Sequence, residues 1–220
     1  MTTILVLWMI YAALAFGPRT LLHWRATGDA GWSVFAAGKT WRERLPELLV
    51  ALGCSISLGA AVLLWRKPMA AWDWQLPPAL RTAALISYVA GSLLTVVSQT
   101  GMGRSWRIGV DPAERTALVV DGAFAIVRNP IYVGILVTCG ALTLLAPSWL
   151  GCAGWALILL SLELQVRCIE EPYLLAVHGD AYRAYASRVG RFVPGVGCFT
   201  DNPSRTARRV RPSGRSQGAA

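Results

Sequence analysis

The chain has 220 residues, a length that admits one or two domains. It is 55% hydrophobic and only 15% charged, with ten tryptophans and a net charge of +9. A soluble domain carries about 25% charged residues, so an ordinary soluble protein is excluded and an integral membrane protein is expected.

Taken in chain order, the apolar stretches define the expected spans. A bilayer core about 30 Å thick needs about 20 apolar residues as helix. Residues 2–17 form a first, slightly short candidate closed by Pro18. It lacks a basic leading region and an A-x-A cleavage pattern, so it is not read as a secretory signal. Residues 48–65 and 82–97 are the second and third candidates. Residues 131–162 are uncharged but too long for one crossing, and "APSW" at 146–149 breaks them near the middle, because proline removes a helix hydrogen bond and clashes with the preceding turn. Two short spans joined as a helical hairpin are expected. Small residues on both arms (Gly134, Gly140, Ala141, Gly151, Ala153, Gly154) are expected to let helices approach closely. The fold expected is therefore all-α, a polytopic membrane protein of about five transmembrane helices.

Basic residues orient those five spans. Arg19, Arg25, Lys39, Arg42 and Arg44 share a side with Arg104, Arg107, Arg115, Arg128 and every arginine after residue 162; only Arg66, Lys67 and Arg81 fall opposite. The positive-inside bias predicts the N-terminus outside, the C-terminus in the cytoplasm and polar function on the cytosolic side. Residues 180–192, "DAYRAYASRVGRF", place Tyr182, Tyr185, Val189 and Phe192 at helical spacing, which predicts a cytosolic C-terminal interfacial helix. The end of the chain, 198–220, is rich in arginine and Ser/Pro/Gly and is expected to be a disordered basic tail able to touch anionic lipid. The five cysteines show no CxxC spacing and are read as small buried hydrophobes. His23 and His178 are isolated, so no metal site is expected.

Two strings carry candidate chemistry. In "VRNPIYVG" (127–134), Asn129 suits a helix N-cap and Pro130 the first helical position. The helix start, with unpaired N–H groups and the positive dipole end, joins Arg128 in attracting an anion; a snorkelling arginine beside an ordinary cap is the simpler reading. In "ELQVRCIEEPY" (163–173), Glu163, Arg167 and Glu170 fall at i, i+4 and i+7 and share a helix face, with Glu171 beside it. Carboxylates at that depth are expensive and are paired or functional, so both a self-neutralising ladder and a site are open here.

Together with the run "HGDAYRAYASRVGRFVP" (178–194), these strings resemble the isoprenylcysteine carboxyl methyltransferase family, part of a wider membrane methyltransferase group that includes phospholipid N-methyltransferases. The elements are Gly122 and Phe124, then Arg128, Asn129, Pro130, Tyr132 and Gly134, a hairpin, Glu170 and Glu171, Gly179, Tyr182, Tyr185, Arg191 and Pro194. The resemblance covers about residues 100–197, read as the catalytic region; residues 1–99 match only as hydrophobic spans. The family's histidine is Asn129 here, a residue that can cap or hydrogen-bond but cannot titrate near neutral pH.

The resemblance implies a methyltransferase using S-adenosylmethionine as cofactor, acting on a lipid or lipid-linked substrate within the bilayer, with no nucleic-acid partner. Arg128, Glu171 and Arg191 are then the catalytic candidates. Val120, Gly122, Asn129, Pro130, Tyr132 and Glu170 are the cofactor-binding candidates. The acceptor implied is the carboxylate of a prenyl-type or other lipid-linked substrate. An amine headgroup, a non-catalytic relative and a reductase-like relative using a nicotinamide cofactor are the alternatives.

Overall fold

The computed structural model describes residues 2–27, 40–66, 76–102 and 117–200. The structure is helical: α1 (Thr2–Thr27), α2 (Trp41–Arg66), α3 (Pro78–Gly101), a 3-10 turn (Gly122–Ala125), α4 (Pro130–Leu145), α5 (Trp149–Gln165), a π turn (Val166–Glu170), α6 (Glu171–His178) and α7 (Asp180–Ala186). Extended pairing among the described residues is limited to two isolated bridges, Val127–Gly190 and Val193–Val196. The basic tail is described only to Thr200. Residues 201–220, and the loop residues 103–116 with Arg104, Arg107 and Arg115, lie outside the described residues.

Three helices are long and apolar enough to cross a membrane: Trp41–Arg66, Pro78–Gly101 and the continuous run Trp149–His178. Thr2–Ala15 and Pro130–Leu145 are shorter apolar helices. The protein is thus a multi-pass integral membrane protein. The break in the long apolar run falls where proline predicts it. Ser148 begins α5 as N-cap, its hydroxyl accepting from the Gly151 N–H at 3.1 Å. By contrast, Pro18 does not close the first helix, which runs on to Thr27. Proline forfeits one hydrogen bond, and within a membrane bundle that loss is tolerated.

Glycines decide which helices pair. The extensive interfaces are α2 with α5 and α3 with α4; α4 and α5 touch each other much less. A Cβ built on Gly53 would lie 2.9 Å from the Gly154 carbonyl oxygen, and one on Gly154 would lie 2.8 Å from the Gly53 oxygen. Gly91 and Gly134 repeat this between α3 and α4, at 2.9 and 2.7 Å. Ser57, Thr95 and Thr138 stand four residues from three of these glycines and fill the same crossings. The hairpin therefore forms, but Gly134 and Gly154 serve two other interfaces. Only Gly140, near the Trp155 indole, and Gly151, near Thr143, face the opposite arm. Sequence spacing marks a small-residue face without naming its partner.

The N-terminal helices are tied in by polar side chains. The Tyr88 hydroxyl donates to the Leu7 carbonyl at 2.7 Å and the Gln99 amide to the Ala15 carbonyl at 3.0 Å, fastening α3 to α1. Ser161 donates to the Pro46 carbonyl at 2.6 Å, fastening α5 to α2. Tyr11, Ala15, Tyr88, Cys139, Leu142, Ile158 and Leu162 fill the core between them.

The C-terminal region departs from expectation. α7 is shorter than the predicted 180–192 helix, ending at Ala186. Tyr182 and Tyr185 are buried against Leu118, Val120, Leu174, Leu175, Val189 and Phe199. Their apolar face thus packs on protein, and turns carry the chain from 187 to 200. Gly190 permits this, since a Cβ there would meet the Val193 carbonyl and lie 2.8 Å from the Gly195 nitrogen.

The glycine crossings generate a test with a built-in sign change. Gly134→Ala and Gly154→Ala are each expected to cost about 1–3 kcal/mol through overpacking. Gly59→Ala, where nothing lies within 4 Å, is expected to gain about 0.5–1 kcal/mol from helix propensity. Unfolding in detergent followed by circular dichroism measures both.

Candidate active site

The site assembles where the start of α4 meets the end of the α5 helix and the C-terminal turns. Arg128 and Asn129 form a short extended step: the Arg128 N–H donates to the Gly190 carbonyl at 2.8 Å and the Asn129 N–H to the Arg191 carbonyl at 3.2 Å. This parallel contact aims Arg128 inward, where its side chain is 2% exposed. One Nη2 donates to Glu171 Oε1 at 2.7 Å and to the Gly197 carbonyl at 3.0 Å. Nη1 donates to the Ala186 carbonyl at 3.0 Å and to the Val189 carbonyl. Phe199 lies under the guanidinium, 5.2 Å from its ring centre.

Glu171 is the second half of the network. Arg191 meets it bidentately, Nε to Oε1 at 2.8 Å and Nη2 to Oε2 at 2.9 Å. A planar guanidinium matches a carboxylate in this way. The hydrogen bond to Glu171 raises the affinity of Arg191 for its proton above the ordinary value, burial pulling the other way. Arg191 is the more open arginine, with its side chain 13% exposed, and its Nη1 has no partner among the described residues.

The neighbouring glutamate has a different setting. Glu170 accepts from the Tyr132 hydroxyl and, at 3.4 Å, from the Gln165 amide. No cation pairs with it among the described residues. The π turn separates it from the expected ladder. Glu163 and Arg167 do pair at i, i+4, but the Glu171 N–H reaches back five residues to Val166. The extra residue per turn rotates Glu170 away from Arg167 and toward α4. Such π turns occur often at functional sites.

Asn129 occupies the N-cap position and Pro130 follows it into α4, yet the asparagine side chain does not cap the helix. Its amide donates to the Arg191 carbonyl at 3.1 Å. Val120 packs on the tyrosine cluster, and Gly122 starts the 3-10 turn with φ at 61°. That turn is held by Tyr185, whose hydroxyl donates to the Phe124 carbonyl at 2.6 Å; burial pushes the Tyr185 hydroxyl up to about 12. The structure thus gathers Arg128, Asn129, Glu171 and Arg191 in one network and Tyr132 and Glu170 in a second beside it. No hydrogen bond joins Val120 or Gly122 to either network among the described residues.

Sequence reasoning missed Gln165, Phe199 and the carbonyls that receive Arg128, and it named Tyr185 without giving it a place in the site. Gln165 alone carried a signal, as a neutral polar residue inside an apolar period. Among the described residues no cluster of His, Cys, Asp and Glu could hold a metal ion.

Removing Glu171 leaves two guanidinium charges without their shared carboxylate. Glu171→Gln is expected to destabilise the fold by about 3–5 kcal/mol. Glu163→Gln, which breaks the exposed pair with Arg167, is expected to cost less than about 1 kcal/mol. Denaturant titration in detergent separates the two.

Residues 80–181 match the family described as phospholipid methyltransferase. A protein-S-isoprenylcysteine O-methyltransferase of Schizosaccharomyces pombe is 28% identical over 116 residues, covering 52% of this chain and 49% of that protein. The match thus spans about half the length of that relative. The family match runs from α3 through α4, α5 and the double glutamate to the start of α7. Over about half its length the chain is thus similar to membrane methyltransferases of the phospholipid and isoprenylcysteine kind.

Proposed function

We propose that the protein transfers a methyl group from S-adenosylmethionine to a lipid or lipid-linked acceptor, with the carboxylate of a prenyl-type or similar lipid as the leading acceptor class. The reading is carried by the contrast between adjacent glutamates. Glu171 is neutralised by Arg128 and Arg191, whereas Glu170 is held by neutral donors only. A buried carboxyl group kept without a cation fits a ligand that brings its own positive charge, as this cofactor does through its ammonium and sulfonium groups. The cofactor supplies an electrophilic methyl carbon.

The protein's part is alignment and exclusion of water, because a carboxylate nucleophile needs no strong base. Glu170, oriented by Tyr132 and Gln165, holds the cofactor's ammonium. Arg191, fixed by Glu171, offers Nη1 to the acceptor carboxylate. Both Nη groups of Arg128 are committed to protein acceptors, so its role is to position Glu171 and the turns that carry Arg191. Asn129 fixes the Arg191 backbone, a task that needs no titrating group. The turn at Val120 and Gly122 and the helix start at Pro130 border the cofactor. With the arginine-rich segments inside, the site faces the cytosol, and the lipid arrives sideways from the bilayer. A second reading, N-methylation of an amine headgroup, is favoured by one observation: only Arg191 Nη1 and the buried Arg128 Nε are left open in these networks, while Glu170 has no cation beside it among the described residues.

Purified protein should bind S-adenosylhomocysteine, and Glu170→Gln should weaken that binding about tenfold, about 1.4 kcal/mol, with the thermal midpoint nearly unchanged. Arg191→Met should lower transfer of radiolabelled methyl into a lipid extract while retaining cofactor binding. Base-labile label identifies an ester, and stable label an amine. Wild-type behaviour of both variants, or tight NADPH binding with none of the methionine cofactor, would overturn the proposal.

A further inference from the structure

The tyrosine face expected to lie on the membrane is buried in protein, so the membrane-contacting part of the C-terminal region must be sought elsewhere. The helix carrying the two glutamates gives the level of the bilayer boundary. It runs without interruption from Trp149 to His178, 30 residues. At about 1.5 Å per residue, a core about 30 Å thick is crossed in about 20 residues. Counting from Trp149, the core ends near about residue 168, and Glu170 and Glu171 stand at the headgroup level.

A tight turn is fastened to this level. The Val196 N–H donates to the Val193 carbonyl at 3.0 Å across Pro194 and Gly195, with Gly195 at φ 73°, the position where a type II turn requires glycine. The Arg191 N–H donates to the Val196 carbonyl at 2.8 Å, and the Arg191 side chain is clamped to Glu171. The turn nevertheless presents aliphatic side chains outward: Val193 is 55% and Val196 61% exposed. Ile126, 62% exposed, precedes the Val127–Gly190 bridge that joins the same segment to the start of α4. Aliphatic tips held at the headgroup level match a lipid surface.

We infer that the Val193–Val196 turn, with Ile126, is a wedge that inserts into the bilayer interface. Its bond to Arg191 sets the Arg191–Glu171 pair at the depth where a lipid headgroup arrives. The inference rests on the membrane topology and not on the methyl-transfer chemistry, so the two can fail separately.

The test is a fluorescent probe in the full chain. Cys168 and Cys198 are first replaced by Ser, then Val196→Cys is labelled with an NBD dye and reconstituted in vesicles of phosphatidylcholine and phosphatidylglycerol. Asp180→Cys, at a fully exposed side chain, is the aqueous control. The Val196 label should emit to the blue of the control, be quenched by lipids carrying a shallow doxyl group, and show several-fold weaker quenching by iodide. Equal iodide quenching at both positions would overturn the inference. So would a blue shift without doxyl quenching that fades on dilution into lipid, which would assign the face to a second copy of the chain. Val193→Cys gives the same readout should Val196→Cys fail to fold.

Discussion

A buried guanidinium must be surrounded by acceptors, and the far end of this molecule is organised around that demand. Arg128 is almost wholly buried, and an isolated charge there would cost many kcal/mol. Its acceptors come from Glu171 at the end of the α5 helix and from the carbonyls of Ala186, Val189 and Gly197. Segments far apart in sequence are thereby drawn onto one side chain. Glu171, so recruited, can then fix Arg191. The chemistry proposed for Arg191 and Glu170 presupposes this arrangement, in which the most buried arginine is the scaffold and the more open one meets the ligand.

The membrane helices deliver those parts to one place. Two glycine-centred crossings, Gly53 with Gly154 and Gly91 with Gly134, bring backbones close enough to set the axial position of α5 against α2 and of α4 against α3. Van der Waals contact at such crossings is the principal attraction available where lipid is as apolar as the side chains. The start of α4, preceded by Arg128, and the end of α5, leading to Glu171, are therefore positioned by residues within the apolar helices. The hydrogen bonds from Tyr88, Gln99 and Ser161 to main-chain carbonyls add direction to otherwise featureless apolar packing.

Much of this was legible in the sequence, and the limits have physical causes. Apolar length located the helices, and "APSW" located the hairpin turn, because the bilayer and proline each impose a strict local rule. The association of Arg128, Glu171 and Arg191 was readable as residue types in order. Their division of labour was not, since three of the Arg128 acceptors are carbonyls, which every residue possesses and no side chain announces. The tyrosine face of α7 was recognised as apolar, but periodicity cannot distinguish protein from lipid as the partner. The same ambiguity left the partners of Gly134 and Gly154 open, though their close helix approach was expected. Pro18 failed as a helix terminator because a local rule was outweighed by its surroundings.

The π turn at Val166–Glu170 has a consequence for how this helix can change. Deleting one residue there would restore ordinary α geometry and turn everything beyond it by about 100°. Glu170 would swing back toward the Glu163–Arg167 stripe, and Glu171 would leave the two arginines. The helix would stay as long and as apolar as before, fully able to span a bilayer, while losing the alignment between its membrane half and its polar half. The irregular turn thus acts as an angular offset, letting one continuous rod satisfy lipid along its length and a specific set of partners at its end.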